Sequence, residues 1–160
     1  MFKNIVLHWT GGNYYPCSID ITAYHFLVDK NGSVRSGKYT PEDNLNCGDG
    51  KYAKHTGGGN TGRIGIAICC MKDKQTPPTQ KQVEAMCKQA ARLCYLYNLT
   101  PKQCITHAEF GLANPKTSSA GKTDINSLPY VPRNGIKSCA DYLRNKIQVY
   151  YDRISRGYYG

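Results

Sequence analysis

The sequence lacks any long hydrophobic run. No stretch of its 160 residues approaches the roughly 20 apolar residues that a membrane-spanning helix needs. Residues 1–4 lead directly into the first apolar segment, without the basic start, apolar middle and cleavage site of a signal peptide. We therefore expect a protein that is made in the cytoplasm and does not insert into membranes.

Internal repeats and low-complexity tracts are also absent, and the length suits one hydrophobic core. Hydrophobic residues make up 40% of the chain and charged residues 20%, which is typical of globular proteins. We expect one catalytic or binding domain over residues 1–160, acting as a monomer.

The eight cysteines contain no Cys-x-x-Cys pair, so a structural zinc ribbon is not indicated. Cys69 and Cys70 are adjacent, which in a strand places their side chains on opposite faces. We expect most of the cysteines to be reduced and buried.

Acidic residues are scarce: 11 Asp and Glu stand against 21 Lys and Arg, giving a net charge of +10. Such a charge favours a polyanionic partner, which could be nucleic acid, a lipid surface or an anionic cell wall. The sequence has no helix-turn-helix, zinc-finger or aromatic RNA-binding signature, so charge alone supports a nucleic-acid-binding domain. Lys and Arg outnumber Asp six to two between Arg133 and Arg156, which predicts a basic carboxyl-terminal surface.

The hydrophobic pattern predicts an α/β domain with a central mixed β-sheet flanked by helices. Strands are expected at 5–9, 24–29, 33–36, 63–71 and, with an exit loop, 103–110, and helices at about 80–97 and 138–155. Asn31-Gly32 predicts a hairpin, and the run at 63–71 predicts a strand buried on both faces. Ser138 and Asp141 resemble a cap for the last helix.

Histidine is rare, with only four residues in the chain. His8 and His107 each lie near the end of a predicted strand, and Asp124 follows His107 after a loop. Two histidines and one carboxylate leave an open position on a tetrahedral zinc ion, as in hydrolytic sites. Taken alone, a histidine in the position of His8 is more often a hydrogen-bonded core histidine than a metal ligand.

Several short motifs decide between these interpretations. In order and approximate spacing they resemble zinc-dependent N-acetylmuramoyl-L-alanine amidases, the type 2 amidase family that shares its fold with peptidoglycan recognition proteins. The likeness, most of all to bacteriophage lysozyme-type amidases, covers about residues 3–130. It rests on Leu7-His8-Trp9-Thr10, Tyr24-His25-Phe26-Leu27-Val28, Lys54-His55-Thr56, Gly65-Ile66, Thr106-His107-Ala108-Glu109 and Lys122-Thr123-Asp124.

The resemblance implies a peptidoglycan hydrolase that uses zinc to cleave the amide between N-acetylmuramic acid and L-alanine. It implies His8, His107 and Asp124 as zinc ligands, with Tyr24 and Lys122 as catalytic residues. Some relatives carry a catalytic glutamate where this chain has Ala67. It also implies a phage endolysin that is released by a holin or by lysis and then acts on the wall.

Some assignments stay open at this point. His55 and Asn60 are candidate substrate-binding residues, although His55 could instead orient the site or be an ordinary loop histidine. Glu109 is a second candidate for the general base, and His25 is expected to be structural and to point away from Tyr24. The competing functions are a non-catalytic peptidoglycan-binding module and a basic nucleic-acid-binding domain. The segment between His8 and Tyr24 is short, so we expect a low cleft wall there.

Overall fold

The computed structural model describes residues 1–72 and 75–157. Its strands are β1 (Asn4–Trp9), β2 (Phe26–Val28), β3 (Val34–Ser36), β4 (Arg63–Ile68) and β5 (Cys104–Thr106). Its α-helices are α1 (Ser18–Ala23), α2 (Gln80–Tyr97), α3 (His107–Ala113) and α4 (Ile136–Ser155). The strands form one mixed sheet in the order β3-β2-β4-β1-β5, which confirms the predicted fold class.

Strand β4 occupies the centre of the sheet and is parallel to both neighbours, β1 and β2. Its isoleucines at 64, 66 and 68 pack into the core beneath α2 and α4. Because side chains alternate along a strand, Gly65 and Ala67 face the other side of the sheet. Strand β1 alternates in the same way, with Ile5 and Leu7 in the core cluster.

The two long helices cover one face of the sheet. Helix α2 has the predicted bounds, and its first turn is capped by Thr79, whose hydroxyl accepts a hydrogen bond from the Gln82 amide at 3.1 Å. Helix α4 begins at Ile136, and the cap predicted from Ser138 and Asp141 is wrong. The Ser138 hydroxyl instead donates to backbone carbonyls of the preceding turn, and Asp141 pairs with Lys137.

Two short helices were not predicted. Helix α1 lies in the segment where we expected a low cleft wall, and it has no buried residue. Helix α3 starts directly after β5, where we expected a loop. It begins there because the Thr106 hydroxyl accepts from the Glu109 amide at 3.1 Å while the Glu109 carboxylate accepts from the Thr106 amide at 3.0 Å.

Two further expectations agree with the structure. Strands β2 and β3 form the antiparallel hairpin that Asn31-Gly32 indicated. All eight cysteines are free, and all are buried except Cys17 and Cys47. Among the described helices, none combines the length and the apolar character needed to cross a membrane.

Candidate metal centre

His8, His107 and Asp124 meet on the sheet face that α2 and α4 leave uncovered. His8 Nδ1 lies 3.1 Å from His107 Nδ1 and 3.0 Å from Asp124 Oδ2, and His107 Nδ1 lies 3.2 Å from the same oxygen. All three side chains are buried. Within residues 1–72 and 75–157 this is the one group of three such side chains that could hold a metal ion.

The fold explains why these residues meet. His8 follows Leu7 on β1 and therefore points to the face opposite the core. Strand β5 is parallel to β1 with Thr106 opposite Leu7, so His107 emerges beside His8 as α3 begins. The Ala108 amide in the first turn of α3 donates to the Asp124 carbonyl at 2.6 Å. This hydrogen bond holds the backbone of Asp124 beside α3.

The hydrogen bonds between His8 and His55 define which ring nitrogen of His8 carries the proton and which presents a lone pair. His55 Nε2 lies 3.0 Å from the Arg63 carbonyl, which can only accept, so this nitrogen carries the proton. Burial, with the neighbouring His8, lowers the pKa of His55 well below its usual value, so the ring is neutral and its Nδ1 is an acceptor. His8 Nε2, 3.2 Å from that Nδ1, is therefore the donor, and His8 Nδ1 presents its lone pair to the site.

A second chain of hydrogen bonds acts on His107. Its Nε2 lies 2.9 Å from the Ser119 hydroxyl, and that hydroxyl donates its single proton to the Gly57 carbonyl at 2.7 Å. The hydroxyl must therefore accept from His107 Nε2, which leaves the lone pair on Nδ1. Two imidazole lone pairs and a carboxylate oxygen thus converge on one point.

This donor set fits zinc, which binds imidazole and carboxylate ligands tetrahedrally. Ligands at the usual 2.0–2.1 Å from a tetrahedral ion lie about 3.3 Å apart, close to the 3.0–3.2 Å separations in this site. Metal-bound histidines usually donate their other ring N–H to the protein, as both histidines do here.

The electrostatics favour the same ligand states. Burial lowers the pKa of His8 and keeps the ring neutral, although Asp124 opposes this shift. Burial alone would raise the pKa of Asp124, but the close contacts of its carboxylate with the His107 and His8 imidazoles outweigh burial and hold the pKa of this carboxyl well below its usual range. Neutral imidazoles and an ionised carboxylate are the forms that bind metal.

The two candidate catalytic residues lie beside this group. Tyr24 follows α1, and its ring centroid is 5.1 Å from that of His8. Burial, and then the charge of Asp124, raise the pKa of Tyr24 above its ordinary value, so the phenol stays protonated near neutral pH. Lys122 is exposed two residues before Asp124, and its charge contributes to the lowered pKa of His8. Ala67 lies beside His8 in register, so that position holds no carboxylate.

His55 is not placed to bind substrate. Its side chain is only 4% exposed, and both ring nitrogens are hydrogen-bonded within the protein. The ring packs over Gly65, where a Cβ would lie 2.5 Å from His55 Cγ. The structure supports the orienting role for His55. Asn60 also has an internal partner, because its Oδ1 accepts from the Thr56 amide at 2.8 Å.

His25 and Glu109 are structural. His25 Nδ1 accepts from the Gly65 amide at 2.9 Å, and Nε2 donates to Asn44 Oδ1 at 2.8 Å. The His25 ring lies 5.3 Å from that of His55. The prediction that His25 points away from Tyr24 rested on strand alternation. Strand alternation does not apply to Tyr24 and His25 because both precede β2.

Glu109 is directed away from the metal ligands. Its carboxylate oxygens accept from the two terminal nitrogens of Arg144 at 2.7 and 3.0 Å, and it also caps α3. The alternative in which Glu109 is the general base therefore has no geometric support.

Sequence reasoning missed Thr56 and Ser119. The Thr56 hydroxyl lies 2.7 Å from His55 Nδ1 and 3.4 Å from His8 Nε2, and Ser119 holds His107. Thr56 adjoins His55 in a motif that the resemblance had already marked. No sequence signal distinguishes Ser119 from its neighbour Ser118, because its partner Gly57 lies 62 residues away in the chain.

Comparisons with known proteins give structural matches at low sequence identity. No curated protein matches the chain. The structure of N-acetylmuramoyl-L-alanine amidase LysC from Clostridium intestinale URNW matches with 20% identity and a TM-score of 0.48, over 68% of this chain and 72% of that one. The structure of PlyL matches with 18% identity and a TM-score of 0.47, over 68% and 69%.

A family model provides the assignment. The model described as N-acetylmuramoyl-L-alanine amidase, Amidase_2, matches residues 2–125, a range that contains all three proposed ligands and both proposed catalytic residues. Because the match covers well over half of the sequence, the chain belongs to the N-acetylmuramoyl-L-alanine amidase family and is an enzyme of that class.

Proposed function

We propose that this enzyme is a zinc-dependent hydrolase of bacterial peptidoglycan that cleaves the amide between N-acetylmuramic acid and L-alanine of the stem peptide. The observation that carries the proposal is the convergence of His8 Nδ1, His107 Nδ1 and Asp124 Oδ2, with both imidazoles held in the tautomer that binds metal. The family membership supplies the bond and the substrate class.

When bound, zinc would polarise the scissile carbonyl and lower the pKa of water to about 7. Asp124 and the two imidazoles would hold the ion among buried side chains, where electrostatic effects are strong. The protonated Tyr24 phenol holds the attacking water by a hydrogen bond. It also relays the proton that this water loses toward the leaving amine nitrogen. The exposed Lys122 ammonium stabilises the negative charge that develops on the carbonyl oxygen.

The test compares zinc content and wall hydrolysis side by side. His8→Ala, His107→Ala and Asp124→Ala should lose both tightly bound zinc and activity. Asp124→Cys should keep zinc because thiolate is also a good ligand, and Lys122→Ala should keep zinc but lose turnover. The Glu109→Gln variant is the matched control, and it should keep both. Activity is measured as the release of new L-alanine amino termini from purified walls.

Two results would contradict the proposal. Full hydrolysis by a preparation shown to be metal-free by elemental analysis would remove zinc from the mechanism. Stoichiometric, tightly held zinc in Asp124→Ala would remove Asp124 from the ligand set. A non-catalytic binding module would retain wall binding in all variants and release no new amino termini.

We further propose that the enzyme is a phage endolysin that acts on the wall after release by a holin or by lysis. The support is the motif resemblance to bacteriophage lysozyme-type amidases. Expression in a bacterial host should be harmless alone and should cause lysis when a pore-forming holin is co-expressed. Lysis that does not depend on the holin, or no lysis by active enzyme with the holin, would contradict this role.

A further inference from the structure

An open groove of about 470 Å³ lies between α2 and the β2–β3 hairpin. The hairpin contributes Asn31, Gly32 and Val34, and α2 contributes Lys81, Lys88 and Arg92. The helix packs on the sheet face opposite the metal centre. A molecule bound in this groove would therefore leave the catalytic face free.

The three cations of the groove form a line. Lys81, Lys88 and Arg92 are spaced by seven and four residues, so they lie on one side of α2. With a rise of 1.5 Å per residue, the line is about 16 Å long. Among the described carboxylates, none lies within ion-pair distance of these three side chains.

The acidic residue in the groove is already paired. The carboxylate of Glu84 accepts from Lys146 Nζ and from the Tyr150 hydroxyl, and the charge of Lys88 also helps to lower the pKa of Glu84. One carboxylate thus stands against several cations. The Lys88 ammonium lies over the Tyr150 ring at 5.5 Å from its centroid. The groove therefore has an excess of positive charge, and Lys88 is held in place by an aromatic ring.

The basic surface predicted at the carboxyl-terminal end is neutralised only in part. Arg144 pairs with Glu109 and Asp141, Lys146 pairs with Glu84, and Lys137 pairs with Asp141. Arg133, Arg153 and Arg156 have no ion pair with a described carboxylate, so the expectation that this surface supplies wall binding stays a prediction. The line of cations on α2 is a second candidate for a polyanion, and it lines a groove.

We propose that this groove binds an anionic, phosphodiester-linked polymer of the bacterial wall and thereby retains the enzyme on its substrate. Three charges along about 16 Å suit a linear polyanion better than a single phosphate. Three cations are few for a nucleic-acid duplex, whose binding proteins commonly make about six to ten phosphate contacts. The inference rests on the proposed function only because the amidase reaction places the protein at the wall.

The experiment compares two triple variants with the same change in net charge. The groove variant removes the line of cations and carries Lys81→Glu, Lys88→Glu and Arg92→Glu. The control variant changes three exposed cations elsewhere and carries Lys51→Glu, Lys102→Glu and Arg156→Glu. Sedimentation with walls that carry the phosphodiester polymer gives the affinity over a range of salt concentrations. Walls stripped of the polymer by hydrofluoric acid are the second substrate.

We expect the groove variant to bind intact walls at least tenfold more weakly than the control variant. Its slope of log affinity against log salt concentration should fall by about 2, since roughly 0.7 counterions are released per neutralised charge on a single chain. On stripped walls both variants should bind like the parent protein. The single change Lys81→Gln, expected to give a smaller loss in the same direction, serves if the triple variant does not fold.

Equal losses for the two triple variants would overturn the proposal, because net charge alone would then explain binding. A groove-dependent preference for DNA over a polyol phosphate of equal charge would also overturn it. Cleavage of a small soluble muramyl-peptide should be the same in the parent and both variants. If the parent fails to cleave it, the proposed amidase reaction is wrong, while the binding comparison still decides the groove.

Discussion

Removal of the Ser119 hydroxyl is the sharpest test of how the metal centre is organised. Ser119 is fully buried, and its hydroxyl joins His107 Nε2 at 2.9 Å to the Gly57 carbonyl at 2.7 Å. In Ser119→Ala both partners lose their hydrogen bond inside the protein. The imidazole is then free to carry its proton on Nδ1, which removes the lone pair that would bind zinc.

The expected effect is a loss of zinc affinity of about 10- to 100-fold, which is typical when an outer partner of a ligating histidine is removed. This corresponds to about 1.4–2.8 kcal/mol. The metal-free protein should also lose stability by about 1–3 kcal/mol, because a buried donor is left without a partner. Zinc affinity is measured by competition with a chromophoric chelator, and the tautomer of His107 by nitrogen-15 NMR of the imidazole ring.

The neighbouring Ser118 provides a matched control because it is exposed and Ser118→Ala removes the same group. This control should keep parental zinc affinity and the parental tautomer. Ser119→Thr, which restores a hydroxyl, should recover part of the affinity. Parental affinity in Ser119→Ala, with the proton still on His107 Nε2, would refute the proposed control of the tautomer.

Three further changes test other parts of the site. Tyr24→Phe should keep zinc and lower turnover by about 100-fold or more, and a parental rate would show that Tyr24 only packs. Gly65→Ala should lower stability by about 1–3 kcal/mol and weaken zinc binding, since the new Cβ would lie 2.5 Å from His55 Cγ; unchanged thermal unfolding would contradict this. Burial lowers the pKa of His25 to about 4. Between pH 6.5 and 4 the unfolded chain therefore binds more protons than the folded protein, and stability decreases as the pH is lowered, by about 3 kcal/mol in all. Urea unfolding at pH 7 and at pH 4.5 measures this, and His25→Asn should show a smaller difference between the two values.

The parts of the fold that were predicted correctly are those with a periodic apolar pattern. Strand β4 has almost only apolar residues, and α2 has a regular buried stripe, so both were assigned from sequence. Helix α1 has six residues and no buried one, so it carries no such pattern. Helix α3 was missed although Thr106 and Glu109 form a capping box, because the preceding apolar residues indicated a strand that continued into a loop.

The candidate site was predicted only in part for a related reason. The resemblance marked His8, His107 and Asp124, and the structure brings these three together. It could not separate an orienting His55 from a substrate-binding one, because that depends on which side of His8 the ring occupies. The Arg63 carbonyl decides this, and neither hydropathy nor spacing in the sequence identifies a backbone carbonyl as a partner.

The distribution of charge over the surface was also only partly predictable from the sequence. The excess of Lys and Arg is plain in the sequence, but the cations without an acidic partner are defined by contacts between distant residues. Lys146 is neutralised by Glu84, which lies 62 positions earlier, and Arg144 by Glu109 on another helix. These pairs neutralise part of the positive charge that the sequence places on α4.

The pleat of β1 links the core to the metal centre. Ile5 and Leu7 pack beneath α2 and α4, while His8, one residue further, places its proposed zinc-binding nitrogen on the opposite face. A change of volume at Leu7 would move the backbone that positions His8, so core packing and metal affinity are coupled through one strand. The sheet thus fixes the position of His8 and separates the proposed metal site from the proposed wall-binding groove on α2, so the two surfaces share no residues.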